Sequence, residues 1–233
     1  MFKVAIDGPG GAGKSTVSKA AAKELGFVYI DTGAMYRAAA LYCLRQGISI
    51  RENPAEAAQA VDSIDIDIAY QEDGQHIFLN GEDVTEKIRT PEVSMGASDV
   101  SAIPAVRERL VAFQRKLADE KNVIMDGRDI GTKVLPDAQV KIFLTADASV
   151  RAKRRHAELL EKGAAVSYEE VLSDIMKRDQ NDETRAVSPL VPAADSVRLD
   201  TGNLSFDQSL AAVLSLITER LKNKREEVFL CSP

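Results

Sequence analysis

A glycine-rich segment near the start of the chain constrains the fold more than any other feature: Gly8, Pro9, Gly10, Gly11, Ala12, Gly13, Lys14, Ser15 and Thr16. This segment fits the phosphate-loop pattern G-x-x-x-x-G-K-[ST], which a chain of this length contains by chance on the order of 1% of the time. Residues 4–6 predict a buried strand before it, and the alanine-rich stretch to Leu25 predicts a helix after it. The motif requires this strand–loop–helix context.

Each residue type in the loop suits the binding of a nucleoside triphosphate. Glycines let several backbone N–H groups point at one anion, and the helix that follows adds its positive end. Lys14 can reach the β- and γ-phosphates, and the Ser15 hydroxyl can bind Mg²⁺. We therefore expect ATP as co-substrate together with Mg²⁺. An ordinary glycine-rich turn with an exposed lysine is the alternative.

Composition bounds the class of protein. The chain has 233 residues, 45% of them hydrophobic, which suits one α/β domain with an insertion or two small domains. Its net charge of −6 offers no basic field, so we expect no nucleic-acid or membrane partner. Cys43 and Cys231 form no metal spacing or disulfide framework. Without a signal peptide or an apolar run of membrane length, we expect a cytoplasmic protein. We also expect a monomer.

Strand and helix patterns alternate along most of the chain. Further strands are predicted at 28–31, 123–126, 140–144 and 197–199, and helices at 34–45, from Pro91, from Pro104 to Glu120, from Ser167 to near Arg178 and from Ser205 to about Leu221. This alternation predicts a parallel sheet with helices on both faces. Ligands of such sheets lie beyond the carboxyl ends of the strands. The phosphate loop, residues 31–33 and residues 126–129 should therefore converge there.

Two segments depart from this alternation. Ile64 to Tyr70 alternates strictly between apolar and polar residues, and a second strand over 77–79 is bounded by turns at Asp73-Gly74 and Asn80-Gly81. We therefore expect a small β-rich insertion at 62–97 within a core of 1–61 and 98–233. A basic helix near residue 151, interrupted at Gly163, predicts a short helical lid over about 151–167.

Several segments together resemble the bacterial cytidylate kinase family, and the resemblance spans nearly the whole chain. It is carried by residues 8–16, 31–37, 126–132, 136–138 and 185–190. The Asp-Thr-Gly-Ala-Met-Tyr-Arg run at 31–37 and the Asp-Gly-Arg-Asp run at 126–129 are specific to this family rather than to phosphate-loop proteins at large. The resemblance implies a P-loop kinase core, a monophosphate-binding role for the insertion and a lid role for the basic helix.

The resemblance also assigns a cytosine pocket. It implies Asp129 as the acceptor for the exocyclic amine, Arg107 and Arg185 as donors, and Thr32 and Ser98 as smaller partners. Cytosine presents one amino donor and acceptors at N3 and O2. Uracil reverses this pattern, so it would leave buried groups unpaired and be rejected.

The remaining implied contacts concern the ribose and the phosphates. Arg178 and Asp182 match family positions that hold the ribose, and deoxyribose should be tolerated if Arg178 holds Asp182 in place. Arg37 and Arg128 would hold the acceptor phosphate, because arginine suits forked anion recognition. The lid residues that would close over the polyphosphate and exclude water are Arg154 and Arg155.

The activity implied is transfer of the γ-phosphoryl group of ATP to CMP or dCMP. The attacking phosphate oxygen has a pKa of about 6, so no general base is required and catalysis should be positioning plus charge neutralisation. Three alternatives stay open at this point. The first is a kinase of UMP or of a metabolite hydroxyl, and a hydroxyl acceptor would need Asp129 or Asp31 as a base. The second is a non-enzymatic nucleotide-binding switch, and the third is a P-loop domain that has lost activity.

Overall fold

The computed structural model describes residues 1–71, 74–161 and 163–230, with side chains up to residue 223. Asp73 of the predicted Asp73-Gly74 turn and Cys231 lie outside the described residues. No helix within the described ranges combines the length and apolar character that crossing a membrane requires.

Five parallel strands form the central sheet, in the order β2-β6-β1-β7-β8. These strands are β1 (Lys3–Asp7), β2 (Val28–Asp31), β6 (Val123–Gly127), β7 (Val140–Thr145) and β8 (Val197–Asp200). The helices are α1 (Lys14–Leu25), α2 (Thr32–Arg45), α3 (Pro54–Asp62), α4 (Pro91–Val100), α5 (Pro104–Glu120), α6 (Ala148–Glu161), α7 (Tyr168–Thr184) and α8 (Phe206–Leu230). The α/β class predicted from the sequence is confirmed.

Successive residues of a strand point to opposite faces of the sheet, and both faces are covered. Val4 and Ile6 of β1 belong to an apolar cluster shared with α1 and α8. Ala5, between them, belongs to a second cluster shared with α2 and α5. Burial on both faces explains why the core strands read as unbroken apolar runs. It also leaves the carboxyl edge of the sheet as the place where polar groups can gather.

The predicted insertion contains a separate three-stranded antiparallel sheet. Its strands are β3 (Ile66–Gln71), β4 (Gly74–Leu79) and β5 (Glu82–Asp83). Asn80 and Gly81 both have positive φ, 51° and 81°, as the tight turn predicted there requires. The predicted boundary at 97/98 falls inside α4, so that helix continues from the insertion into the core. The division of the chain at 62–97 stays a prediction.

Two helices are longer than their sequence patterns suggest. α7 begins with the predicted capping box of Ser167 and Glu170, but it ends at Thr184 rather than near Arg178. α8 ends at Leu230 rather than near Leu221. Neither extension contains glycine or proline, so nothing local stops either helix. The longer α7 places Arg178 and Asp182 four residues apart on one helix, where their side chains are neighbours.

Candidate active site

The phosphate loop connects the end of β1 to the start of α1 and needs its glycines. A Cβ at Gly8 would lie 1.9 Å from the Leu144 carbonyl oxygen, so no other residue fits. Gly11 and Gly13 have φ of 75° and 86°, a region that side chains disfavour. Of the nine residues of the loop, those that line the cavity are Gly10, Gly11, Lys14 and Ser15. Gly8, Pro9, Ala12, Gly13 and Thr16 do not line it.

Lys14 is buried rather than exposed, which excludes the alternative of an ordinary turn. Its Nζ donates to the Pro9 carbonyl oxygen at 2.7 Å and lines the cavity. Burial, followed by the nearby charge of Arg128, lowers the pKa of Lys14 to about 7. A cation held at this cost inside a cavity is a group that an anionic ligand would stabilise.

Ser15 contacts a carboxylate that sequence reasoning did not select. Its Oγ donates to Asp126 Oδ2 at 2.8 Å, and the Tyr29 hydroxyl donates to Asp126 Oδ1 at 2.9 Å. Burial and the neighbouring charge of Asp31 raise the pKa of Asp126. The sequence predicted its place at the end of a buried strand beside the loop but assigned it no role.

These two residues fit Mg²⁺ as phosphate-loop enzymes bind it. In such enzymes the loop Ser or Thr and an Asp from a neighbouring strand hold the ion. Mg²⁺ commonly takes one or two protein ligands, with phosphates and water completing its shell. Within residues 1–71, 74–161 and 163–230 no group of three or more His, Cys, Asp or Glu could hold a metal by itself. Ser15 and Asp126 would supply two protein ligands, a number that suits Mg²⁺ bound together with phosphates and water.

The carboxyl ends of the strands bring the predicted groups together. Asp31 of β2 pairs in register with Asp126 of β6, and Asp7 of β1 with Gly127. Asp7 does not line the cavity. It accepts from the backbone N–H groups of Ile130 and Gly131, both at 2.7 Å, and burial raises its pKa to about 6. Asp7 thereby fixes the chain that leaves β6.

Three of the predicted arginines lie around the loop. Arg128 Nε donates to Asp182 Oδ2 at 2.7 Å, and Arg37 Nη2 donates to Asp31 Oδ2 at 2.7 Å. Arg178 differs, because its buried Nε has no hydrogen-bond partner among the described residues. Burial, then the charge of Arg128, lowers the pKa of Arg178 to about 10.

The arginines Arg128 and Arg178 approach the phosphate loop closely. A Cβ placed on Gly10 would lie 3.4 Å from Arg128 Nη2 and 3.7 Å from Arg178 Nη1. Asp182 accepts from Arg128, whereas the sequence analysis made tolerance of deoxyribose conditional on Arg178 holding Asp182 in place.

Asp129 and two arginines form a buried cluster on the other side of the cavity. Arg107 Nη2 donates to Asp129 Oδ2, and Arg185 Nη2 lies 3.9 Å from Asp129 Oδ1. Arg185 Nη1 also donates to Ser101 Oγ at 3.1 Å. The Arg107 guanidinium stands 5.6 Å from the ring centre of Tyr36. This cluster presents a carboxylate flanked by two forks of donors.

The two small predicted partners both line the cavity. Thr32 Oγ1 donates its proton to the Asp126 carbonyl oxygen at 2.8 Å, so toward a ligand it can only accept. Ser98 lies on α4, and its carbonyl oxygen accepts from Ser101 Oγ at 2.8 Å. Every predicted base, ribose and acceptor-phosphate residue thus faces one cavity.

Comparison with known proteins decides the family. The family model described as cytidylate kinase matches residues 4–219 of the chain. The chain belongs to the cytidylate kinase family. The cytidylate kinase of Caldicellulosiruptor bescii is 55% identical over 223 residues, covering 96% of this chain and 98% of that protein. The cytidylate kinase of Carboxydothermus hydrogenoformans is 51% identical over 216 residues, covering 93% and 97%. The resemblance stated from the sequence is confirmed.

A solved structure supports the fold alone. An uncharacterised protein from Eubacterium ventriosum superposes with a TM-score of 0.52 at 13% identity, covering 94% of this chain and 99% of that one. Membership of the cytidylate kinase family makes the chain a nucleotide phosphotransferase with ATP as co-substrate.

The predicted lid arginines do not reach the cavity of this cytidylate kinase family member. Arg154 Nη2 donates to the Thr201 carbonyl oxygen at 2.7 Å, and Arg155 Nη1 pairs with Glu158 at 3.1 Å on the exposed face of α6. Their catalytic role stays a prediction. Arg151, which sequence reasoning missed, is buried and donates to the Gly10 carbonyl oxygen at 3.0 Å. Nothing in the sequence distinguishes it from the other basic residues of this helix.

Proposed function

We propose that this chain transfers the γ-phosphoryl group of ATP to CMP or dCMP, giving ADP and CDP or dCDP. The observation that carries the proposal is Asp129, a buried carboxylate between Arg107 and Arg185, in the same cavity as Lys14. A phosphate loop alone would fit many kinases. A loop that shares its cavity with this carboxylate and two donor forks fits an acceptor nucleotide whose base carries an amino group.

The base recognition follows from donor and acceptor counting. Asp129 can accept from the exocyclic amine of cytosine, and Thr32 Oγ1 is a second acceptor because its own proton is already donated. Arg185 Nη2 is buried without a hydrogen-bond partner among the described residues, so it can donate to the ring. Uracil would meet the carboxylate with a carbonyl oxygen, and two acceptors repel each other.

The phosphate chemistry follows from charge. The attacking oxygen of CMP is already ionised at neutral pH, so the cavity needs cations rather than a base. Lys14, Arg37, Arg128 and Arg178 supply them, and Ser15 with Asp126 would hold Mg²⁺. The metal, when bound, would neutralise charge on the β- and γ-phosphates. These residues act by positioning two nucleotides end to end.

The sugar contacts support use of both ribose and deoxyribose. Asp182 can accept from ribose hydroxyls, and it is anchored by Arg128 and by the nearby charge of Arg178. Since the anchor does not depend on the 2′-hydroxyl, loss of that group should leave Asp182 in place. We also propose a cytoplasmic monomer, and the net charge of −6 supports the absence of a nucleic-acid or anionic-membrane partner.

A coupled assay of ADP release with CMP, dCMP, UMP and AMP tests the proposal. We expect fast turnover with CMP and dCMP and slow turnover with UMP and AMP. Lys14→Met serves as the inactive control for contaminating kinases. Purified protein that does not phosphorylate CMP in the presence of ATP and Mg²⁺ would refute the proposal. A panel of sugars and alcohols tests the rival hydroxyl kinase in the same assay.

A further inference from the structure

Asp31 joins the β-rich insertion to the phosphate site. Its Oδ1 accepts from the Ala34 N–H at 2.9 Å, which caps α2, and its Oδ2 accepts from Arg37 at 2.7 Å. Two residues of the insertion reach the same place. Arg89 Nη1 lies 3.7 Å from Asp31 Oδ2, and Gln75 Oε1 accepts from the Asp31 backbone N–H at 2.9 Å.

The ion pair between Asp31 and Arg37 orients the Arg37 guanidinium toward the cavity. A Cβ on Gly33 would lie 3.1 Å from Arg37 Nη1 and 3.2 Å from Asp31 Oδ1, so a larger residue there would press on the pair and shift it. Arg37 lines the cavity, and its Nε is buried without a hydrogen-bond partner among the described residues. The pair therefore holds one edge of the guanidinium and leaves donors for a ligand.

We propose that Arg89 and Gln75 are positioning residues for the acceptor phosphate, acting through Asp31 to keep Arg37 aimed into the cavity. The inference rests on the proposed function, because it assigns Arg37 to the phosphate of CMP. Arg89 lies beside the same Asp31 Oδ2 to which Arg37 donates, so it helps to fix the carboxylate that orients Arg37. Gln75 fixes the backbone at the point where β2 becomes α2. Through both residues, the position of the insertion sets the strength of phosphate binding.

The first test compares Arg89→Ala with Arg45→Ala. Arg45 is a matched control, because it also pairs the core with the insertion, through Glu82 at 2.7 Å, but far from Asp31. We expect Arg89→Ala to raise KM for CMP about fivefold with KM for ATP unchanged. Arg89→Lys should restore most of the loss, since it keeps a cation beside Asp31. An effect of Arg89→Ala no larger than that of Arg45→Ala overturns the proposal.

A double-mutant cycle separates positioning from direct contact. Asp31→Asn keeps a good helix cap but removes the charge. If Arg89 acts through Asp31, adding Arg89→Ala to Asp31→Asn should change KM for CMP less than about twofold. Additive effects would mean that Arg89 binds the phosphate itself, which overturns the proposal. Gln75→Met, which keeps the length but loses the amide, should raise KM for CMP in the wild-type background and not that for ATP.

A crystal structure of Arg89→Ala gives a readout that does not depend on activity. We expect Arg37 to leave the position it holds beside Asp31. An unchanged Arg37 overturns the inference even if the protein is active. Wild-type protein that ignores CMP while Arg37 moves in the variant would instead refute the proposed function and leave the link between Arg89 and Arg37 supported.

Discussion

Arg107 and Arg128 of the cavity and Arg154 and Arg155 of α6 are held in different ways, whereas Arg151 of α6 is buried and paired with Asp179 at 2.6 Å. Arg107 is buried and Arg128 is half-buried, and they pair with the buried carboxylates of Asp129 and Asp182. On α6, Arg154 donates to a backbone carbonyl and Arg155 pairs with an exposed glutamate three residues away. Arginine is therefore held in one position by a buried ion pair in the cavity, whereas Arg154 and Arg155 on α6 can exchange their partners more easily.

This difference in pairing indicates which part of the site is already organised before the substrate binds. Taking a guanidinium out of water is costly, and a buried carboxylate offsets much of that cost during folding rather than during binding. Arg107 and Arg128, which face the side of the cavity where the acceptor nucleotide would bind, are stabilised by such carboxylates before the substrate binds. Arg154 must give up only one hydrogen-bonded backbone partner to turn elsewhere, and Arg155 only a solvent-screened pair. We expect the acceptor side to set specificity and the α6 side to respond to the bound polyphosphate.

The largest expected effect comes from removing Arg128. Arg128→Ala should lower kcat by roughly 10³–10⁵, because arginines that stabilise phosphoryl transfer contribute at this level. Rapid-quench or coupled assays at saturating CMP and ATP measure it. The variant also leaves Asp182 unpaired, so thermal unfolding must be recorded alongside.

Two controls keep this prediction specific. Arg128→Lys keeps the charge next to Asp182 but lacks the fork, and it should fall between wild type and alanine. Arg51→Ala removes an exposed arginine, 55% accessible, and should leave kcat unchanged. A loss of less than tenfold for folded Arg128→Ala would show that the fixed arginines are structural.

The second effect concerns selection between bases. Asp129→Asn should reduce the preference for CMP over UMP by roughly 100-fold, since an amide can donate to the uracil carbonyl where a carboxylate cannot. The ratio of the two kcat/KM values measures this, and it does not depend on the folded fraction. Asp119→Asn, an exposed change on α5, is the control. An unchanged ratio would mean that the base is read elsewhere.

The sequence predicts the arginines and carboxylates on the acceptor side of the cavity better than it predicts the arginines of α6. Asp129, Arg128 and Asp31 end or follow buried strands, and parallel topology alone brings such positions to one edge. The register of Asp31 opposite Asp126 agrees with that reasoning. What topology could not supply was the pairing, because whether Asp182 meets Arg128 or Arg178 depends on how α7 packs against the end of β6.

The α6 side was harder to predict because its pattern carries little information. Arg151, Arg154 and Arg155 look alike in sequence, yet the first is buried against the Gly10 carbonyl and the last is partly exposed. Their separation depends on the angle at which α6 crosses the loop. No local propensity encodes that angle, since it is set by packing between distant elements.

A third prediction tests the cost of burying Lys14. Its pKa lies near 7 in the folded, ligand-free protein and near 10.5 when unfolded. Between these values the unfolded chain binds more protons than the folded one, so this residue makes stability rise with pH. Below pH 7 both forms are protonated and the burial cost is felt in full.

Lys14→Met should therefore stabilise the ligand-free protein at pH 6, on the order of 1–3 kcal/mol, and less at pH 9. Denaturant unfolding at the two pH values measures the change. Lys116→Met, an exposed lysine on α5, should show no such pH dependence. A gain for Lys14→Met that is equal at both pH values would contradict the lowered pKa.

The smallest effects are expected on α6, and their order is the sharpest test of the comparison. Arg154→Ala should lower kcat about tenfold, whereas Arg155→Ala should change it less than about threefold. KM for CMP should stay constant in both, because neither residue touches the acceptor side. The reason for the order is position: Arg154 bonds Thr201, whose Oγ1 in turn donates to the Ala12 carbonyl of the phosphate loop at 3.2 Å. A raised KM for CMP in either variant would break the separation between the two regions, since it would place α6 among the groups that hold the acceptor.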